Sequence, residues 1–447
     1  MKIRRVVGAC VGLMLGAGCA SVQPTPQAAI VRLEAQRTAD PKSVPVLRAL
    51  GVQYYKQQRH AEARSTLTAA SAVAPNDGVV ALYLGLSAEA MNDMPAAKTA
   101  YSSYLKVGKT QRVRRQLEAR LAAMQRRELV ENAKAAVRAE AQISATPGDK
   151  NTVAVMPFTF TGADSTLKPL ERGFAELLTT DLSRVKALTV VERTRFQAIL
   201  DEIKLQQAVG VDSTTMVRAG KLIQAGTLVQ GSIIQTGDRL RADAALVSVA
   251  TSGVGAKPAT DEQNIDRLFD IEKKIALDLI QTLGVVVTTA ERNAIEQRPT
   301  KSLQAFLAYS QGLTYEDQGR FDDASRAFGN ASRIDPNFGA AIQKGTESAN
   351  LAAASSTTPT TIEASLKGSS EAAVVNASNL GSATSSATGG SAAQEAANQL
   401  NPSTISAATG GTSTGGTPVA DPSAGSGADN PGKAQAKVVI VIKPPTE

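Results

Sequence analysis

Apolar positions along the chain change their period more than once, and each change marks a boundary. From Val44 to Asp77, and over one further period beyond it, they recur at helical spacing, with small residues at fixed intervals among them. Leu50, Gly51, Tyr54, Ala63, Leu67, Ala70 and Pro75 form one set; Leu84, Gly85, Ala88, Ala97 and Tyr101 each stand 34 residues beyond a counterpart. The set returns far downstream as Gly312, Tyr315, Ala324, Phe328, Ala331 and Pro336, with the Gly51 to Ala63 and Ala63 to Pro75 intervals reproduced. Each set predicts two helices that cross closely. Gly51 and Ala63 are small where the helices meet, Tyr54 and Leu67 fill the space between them, and Pro75 stops the second helix because it has no N–H to continue the ladder. The second copy carries Lys109 in place of that proline, so its last helix is expected to run on.

A long helix follows over residues 111–142, with Val113, Leu117, Leu121 and Met124 on one stripe. Arg112, Arg114, Arg115, Arg120, Arg126 and Arg127 lie on its other faces, which reads as a solvated cap on the helical array or as a surface for anionic lipid headgroups or another acidic partner. After Pro147-Gly148-Asp149 the pattern turns strand-like. Thr152 to Met156 is a short apolar run stopped by Pro157, as for a buried strand. A helix with Leu170, Phe174, Leu177, Leu178 and Leu182 on one face leads to a second strand, Leu188 to Val191. Helices from Thr194 to about Gln206 and from Met216 to Ile223 come next. Gly226 to Ile234 then opens a hairpin that turns at Thr236-Gly237-Asp238 and returns through Leu240, Ala242, Ala244, Leu246 and Val249. An amphipathic helix with Ile271, Ile275, Leu279 and Leu283 along one stripe closes this part. Gly231 reads as a point of close backbone approach, and Glu192-Arg193 either as a pair fixing the corner after the second strand or as a partner-facing pair.

The 34-residue sets resemble the tetratricopeptide repeat (TPR) family. The strand and helix order, with Val155-Met156-Pro157-Phe158, Val190-Val191-Glu192-Arg193 and Gly231-Ser232-Ile233, resembles the CsgG-like and TolB N-terminal-like domains over roughly residues 150–295. That resemblance implies work in envelope assembly or secretion. Members that secrete amyloid subunits add long transmembrane hairpins, and no second pair of alternating segments of roughly ten residues is found here, which argues against a pore.

Composition adds the ends. Lys2, Arg4 and Arg5 precede the short apolar run Val6 to Leu15, the form of a secretory signal. Leu15-Gly16-Ala17-Gly18-Cys19 resembles a bacterial lipobox, although Leu15 stands four residues before the cysteine rather than three. The resemblance implies lipid attachment at Cys19 and, with no Asp after it, a place on the outer membrane facing the periplasm. Beyond about residue 350 the chain is rich in Ser, Thr, Ala and Gly and poor in large apolar groups, so it is expected to be disordered. Val438 to Ile442 is a strand-like exception that could add to a sheet edge or remain unplaced.

The expected organisation is therefore α+β and multidomain. It comprises a signal at 1–19, a linker at 20–43, two repeats with a basic capping helix at 44–145, a central α/β domain at 150–295, a third repeat at 298–345, a disordered tail at 350–433 and a strand-like terminus at 434–447. Net charge is +7, but the basic residues are dispersed, there is no Trp, and no reader motif accompanies them, so nucleic acid is not expected. Neither a phosphate loop nor a dinucleotide fingerprint occurs. The single histidine, His60, reads as a solvated residue between two helices, and both cysteines, Cys10 and Cys19, lie in the signal region, so no metal site, cofactor or catalytic residue is expected. The reading is a scaffold or adaptor that takes peptides or helices of envelope proteins in its repeat grooves. A secretion or transport component that self-associates into a ring stays open beside it.

Overall fold

A computed structural model describes residues 25–143, 148–207, 213–255 and 258–380. The expectations for the signal and Cys19, for the tail beyond residue 380 and for Val438 to Ile442 lie outside the described residues. The chain forms two compact units, one running to Arg114 and including the stretch that starts at Leu366, the other spanning Arg115–Ser365.

The first unit is helical. Thr25 caps helix α1 (Pro26–Ala39), and Pro26 stands at its first turn, where a missing N–H costs nothing. Ala29, Ile30 and Leu33 are buried on the face that packs against α2 (Val44–Lys56). The expected linker at 20–43 is therefore largely a folded helix; three apolar residues on one face are enough once a neighbour covers them. Helix α2 turns into α3 (His60–Val73), and α4 (Gly78–Ala90) into α5 (Met94–Val107). The starts of α2 and α4, and of α3 and α5, are each separated by 34 residues. Both turns place one residue in left-handed backbone, Gln58 and Asn92, each with φ of 59°. Both are closed by the same bond: the N–H of Arg59 donates to the Tyr54 carbonyl and that of Asp93 to the Ala88 carbonyl, each at 2.9 Å. His60 is not a solvated turn residue. It opens α3 half-buried, its ring centroid 5.5 Å from that of Tyr55. Helix α5 does not run on past Lys109 either; it stops at Val107, and Gly108 makes the break.

The division between the units falls within α6 (Gln111–Arg138), which leads through the short helix α7 (Glu140–Ile143) into the second unit. Here strands β1 (Asp149–Val155), β2 (Thr159–Thr161), β3 (Thr189–Val190), β4 (Ala225–Thr236), β5 (Arg239–Ser248) and β6 (Ala259–Asn264) make one sheet in the order β3-β1-β4-β5-β6, with β2 pairing further along β4. β1 runs parallel to β3 and β4, whereas β5 runs antiparallel to β4 and β6. Gly237 supplies the positive φ, 62°, at the turn between β4 and β5. Helices α8 (Leu170–Leu182) and α11 (Leu268–Thr282) cover one face through Val153, Val155, Phe174, Ile275 and Leu279. Helices α9 (Arg193–Gln207) and α10 (Ser213–Leu222), with Ala133 and Val137 of α6, cover the other through Ala154, Phe196, Ile199 and Leu228. β6, Ala-Thr-Asp-Glu-Gln-Asn, is an edge strand with little apolar content, so the sequence pattern carried no sign of it.

After α12 (Thr289–Ile295), helices α13 (Leu303–Asp317) and α14 (Phe321–Ile334) form a third hairpin, followed by α15 (Gly339–Ala354) and α16 (Pro359–Ala364). Its turn matches the other two: Gly319 has φ of 70°, and the Arg320 N–H donates to the Tyr315 carbonyl at 2.9 Å. Residues 150–295 and 298–345, expected as separate domains, share one core here. Phe306, Tyr309, Phe328 and Phe338 are continuous with Phe174, Phe269 and Ile275. The approach is close because Gly173 lacks a Cβ, which would lie 1.9 Å from the Ser310 hydroxyl oxygen.

The tail expected from residue 350 is folded to residue 380. Helix α15 continues to Ala354, Thr358 caps α16 with Pro359 at its first turn, and Ser370–Leu380 forms a last helix, called here the C-terminal helix. Alanine is the best helix former, and Ile362, Leu366 and Val375 are buried, while Val374 is exposed. Among the described residues no helix is long and apolar enough to cross a membrane.

Candidate functional site

The repeat residues come together as pairs. A Cβ on Gly51 would lie 2.4 Å from Leu67 Cγ, one on Gly85 2.4 Å from the Tyr101 ring, and one on Gly312 2.5 Å from the Phe328 ring. Ala63, Ala97 and Ala324 are fully buried on the facing helices, and Pro75 and Pro336 stand just beyond α3 and α14. Tyr54 donates its hydroxyl to Glu34 of α1, and the Tyr101 hydroxyl donates to Glu89 at 2.7 Å. Arg59 lies over the Tyr54 ring and Arg320 over the Tyr315 ring, each 4.4 Å from the centroid. These residues build the scaffold; they do not converge on a reactive centre.

The basic helix α6 is less free than its composition suggests. Arg114 donates to the Gly108 carbonyl at 3.1 Å, Arg120 to that of Thr357 at 3.4 Å, and Arg126 lies 5.8 Å from the Phe321 ring centroid. Arg112, Arg115 and Arg127 stay exposed.

Glu192 and Arg193 do not form a pair. Glu192 is exposed, whereas Arg193, the first residue of α9, turns inward and is only 8% exposed. Its Nε donates to Glu176 of α8 at 3.0 Å, and its two terminal nitrogens bind Asp317 and Glu316 of α13. Arg172 reaches Asp317 at 2.8 Å, and Lys344 of α15 reaches Glu316 at 3.2 Å. Burial disfavours the charged form of Glu316, but Lys344 and Arg193 outweigh it and hold its carboxyl below the usual range. Arg193 stands at the carboxyl end of the parallel strands, where open α/β sheets commonly bind ligands. In this fold an ion-paired network to the following helices fills that position, so the arginine faces the chain's own α13.

A second buried group lies between α8 and α11. Lys273 binds Asp181 and is 3.0 Å from Glu272 Oε2. Glu272 is fully buried; burial, then the neighbouring Asp181, push its carboxyl up to about 8 and favour its protonated form. Burial also raises Asp181, only partly countered by Lys273 and by Arg184, 3.6 Å away. Lys273 also borders a cleft of about 650 Å³ between α11 and residues 285–296, lined by Leu277, Val285, Val286, Arg292 and Glu296. Val286 is 91% exposed at its rim. The cleft joins apolar surface to charges of both signs. Sequence reasoning passed over this group because Asp181 and Glu272 sit among the apolar positions of their helices. A charged residue beside the stripe, as in Ile271-Glu272-Lys273, was the available signal.

The fold defines a three-layered α/β domain that carries a helical hairpin on its own core. Residues 134–268 match a family model described as "Curli production assembly/transport component CsgG". The central part of the chain is thus CsgG-like, the match running from the end of α6 to the first residue of α11. No curated protein matches the chain.

Proposed function

We propose that the protein is a periplasm-facing lipoprotein, anchored to the outer membrane through Cys19, that serves as a protein–protein scaffold in a CsgG-related assembly. The observation that carries this reading is the continuity of the CsgG-like core with helices α13 and α14, so that a domain of an assembly family and a helical hairpin form one body. The three hairpins, with their shared turns and their glycine against the residue sixteen positions later, are read as tetratricopeptide-type repeats. Such arrays bind peptides and helices on extended surfaces. The charged groups at hand are engaged in ion pairs within the core, and the reading includes no catalytic role, metal or cofactor.

The family description favours a second reading, a component of an oligomeric secretion or transport complex. Crosslinking in intact envelopes with the native chain and a Cys19→Ser form separates the two. Discrete crosslinks to other envelope proteins, lost without the anchor, support the scaffold; a ladder of self-crosslinks closing in a ring supports the transport component and overturns the first reading.

A further inference from the structure

Helix α4, Gly-Val-Val-Ala-Leu-Tyr-Leu-Gly-Leu-Ser-Ala-Glu-Ala, has no polar face: Val79 to Tyr83 and Gly85 to Glu89 are all buried. A helix that is apolar all round must be covered all round. Helices α3 and α5 cover part of it, and the C-terminal helix Ser370–Leu380 packs across α2 and α4. Its hold is polar at one end. The Glu371 carboxylate accepts from the Tyr104 hydroxyl at 2.6 Å, from the backbone N–H groups of Lys109 and Thr110 at 3.2 and 3.1 Å, and from the Thr110 hydroxyl. The break after α5 is what exposes those two N–H groups, and Gly78 leaves room for the carboxylate, since a Cβ there would lie 2.5 Å from Glu371 Oε1. One turn further along, Val375 is buried while Ala373 and Val374 are exposed.

This is a specific contact made by a short helix. An eleven-residue helix is marginal by itself, and among residues 370–375 Val375 is the buried aliphatic beside its carboxylate. Tethering raises its local concentration, which lets a weak ligand stay in place. We propose that the face of α2 and α4 is a helix-binding groove and that the C-terminal helix is its tethered resident. A partner helix with a carboxylate in its first turn and an aliphatic side chain four residues later binds by replacing it. The inference deepens the scaffold reading by naming the chemistry of the partner.

The test uses the full chain and a fluorescent, end-blocked peptide of residues 366–380, followed by anisotropy. In a Glu371→Ala chain the resident loses its anchor, and the peptide of natural sequence should bind about tenfold tighter or more than it binds the unaltered chain. The same peptide carrying Glu371→Ala should bind neither. Equal binding to both chains with unchanged far-ultraviolet circular dichroism would overturn the groove. Loss of helical signal in the Glu371→Ala chain beyond what the eleven residues of the C-terminal helix account for would overturn it too, because Glu371 would then hold the fold and not a ligand. Either failure leaves the envelope crosslinking result standing, so the two readings fail separately.

Discussion

Replacing Arg193 with Met tests how the CsgG-like domain and its helical hairpin are joined. The methionine keeps most of the volume but strands Glu176, Glu316 and Asp317, of which Glu316 and Asp317 are only 6% and 8% exposed. Arg172 at 2.8 Å and Lys344 at 3.2 Å remain as partial compensation. Breaking a buried ion pair from one side costs about 3–5 kcal/mol, and the remaining cations place the expectation near the lower end, about 3 kcal/mol. For a body of this size that corresponds to a fall in Tm of about 6–12 °C. The deficit has a pH signature. In the natural chain Glu316 has a depressed pKa, so its contribution is present above the unfolded carboxylate value and is lost as pH falls through the folded one. In the variant the stranded carboxylates gain by taking protons, so the gap between the two proteins should narrow as pH falls from neutral toward the carboxylate range. Urea unfolding of Arg193→Met, Glu316→Gln and the double variant at several pH values provides the cycle; the double variant should recover part of the loss. A deficit below about 1 kcal/mol, or one that widens in acid, would refute the reasoning.

Three further outcomes follow from other parts of the structure. Glu272 has a raised folded pKa, so its contribution to stability is complete below the ordinary value of 4.5 and is lost as pH climbs through about 8. A Glu272→Gln chain should show a flatter stability profile across that window by thermal melts, and an unchanged slope would count against the protonated carboxyl. Gly231→Ala should cost about 1–3 kcal/mol, because the new Cβ would lie 2.2 Å from the Phe158 ring and 2.4 Å from the Asp243 carbonyl oxygen, a backbone atom that cannot swing away. Ile30→Ala in α1 should cost about 2–4 kcal/mol in urea unfolding; a cost near zero would return residues 26–39 to the status of a linker.

Local chemistry was enough to read several features of this protein. Glycine at a close helix crossing, alanine opposite it and proline after the second helix repeat as a pattern, because hairpin packing is decided within about thirty residues. The β4–β5 hairpin was legible for the same reason, through alternation and a glycine turn, and Gly231 stands where the sequence placed a close approach. Strand β6 was not legible, because a polar edge strand is held by its ladder to β5 and by α11, neither of which leaves a mark on its own residues. The α1 helix and the folded stretch from residue 350 to 380 were missed on composition alone. A handful of apolar residues suffices when a neighbouring face is waiting, and only the tertiary structure supplies the face. The same holds for the charges. Glu192 and Arg193 are adjacent in sequence yet go to opposite environments, while Arg193 meets Glu316 and Asp317 more than a hundred residues away. Lys273 joins Asp181 from another helix, and Glu371 caps the break after α5 from the far end of the described chain. Sequence determined most of the helices and strands because backbone preference and apolar period are local; the fold decided the ion pairs, the shared core and the docking of the C-terminal helix, because burial and charge pairing depend on residues that the chain brings together only when it closes.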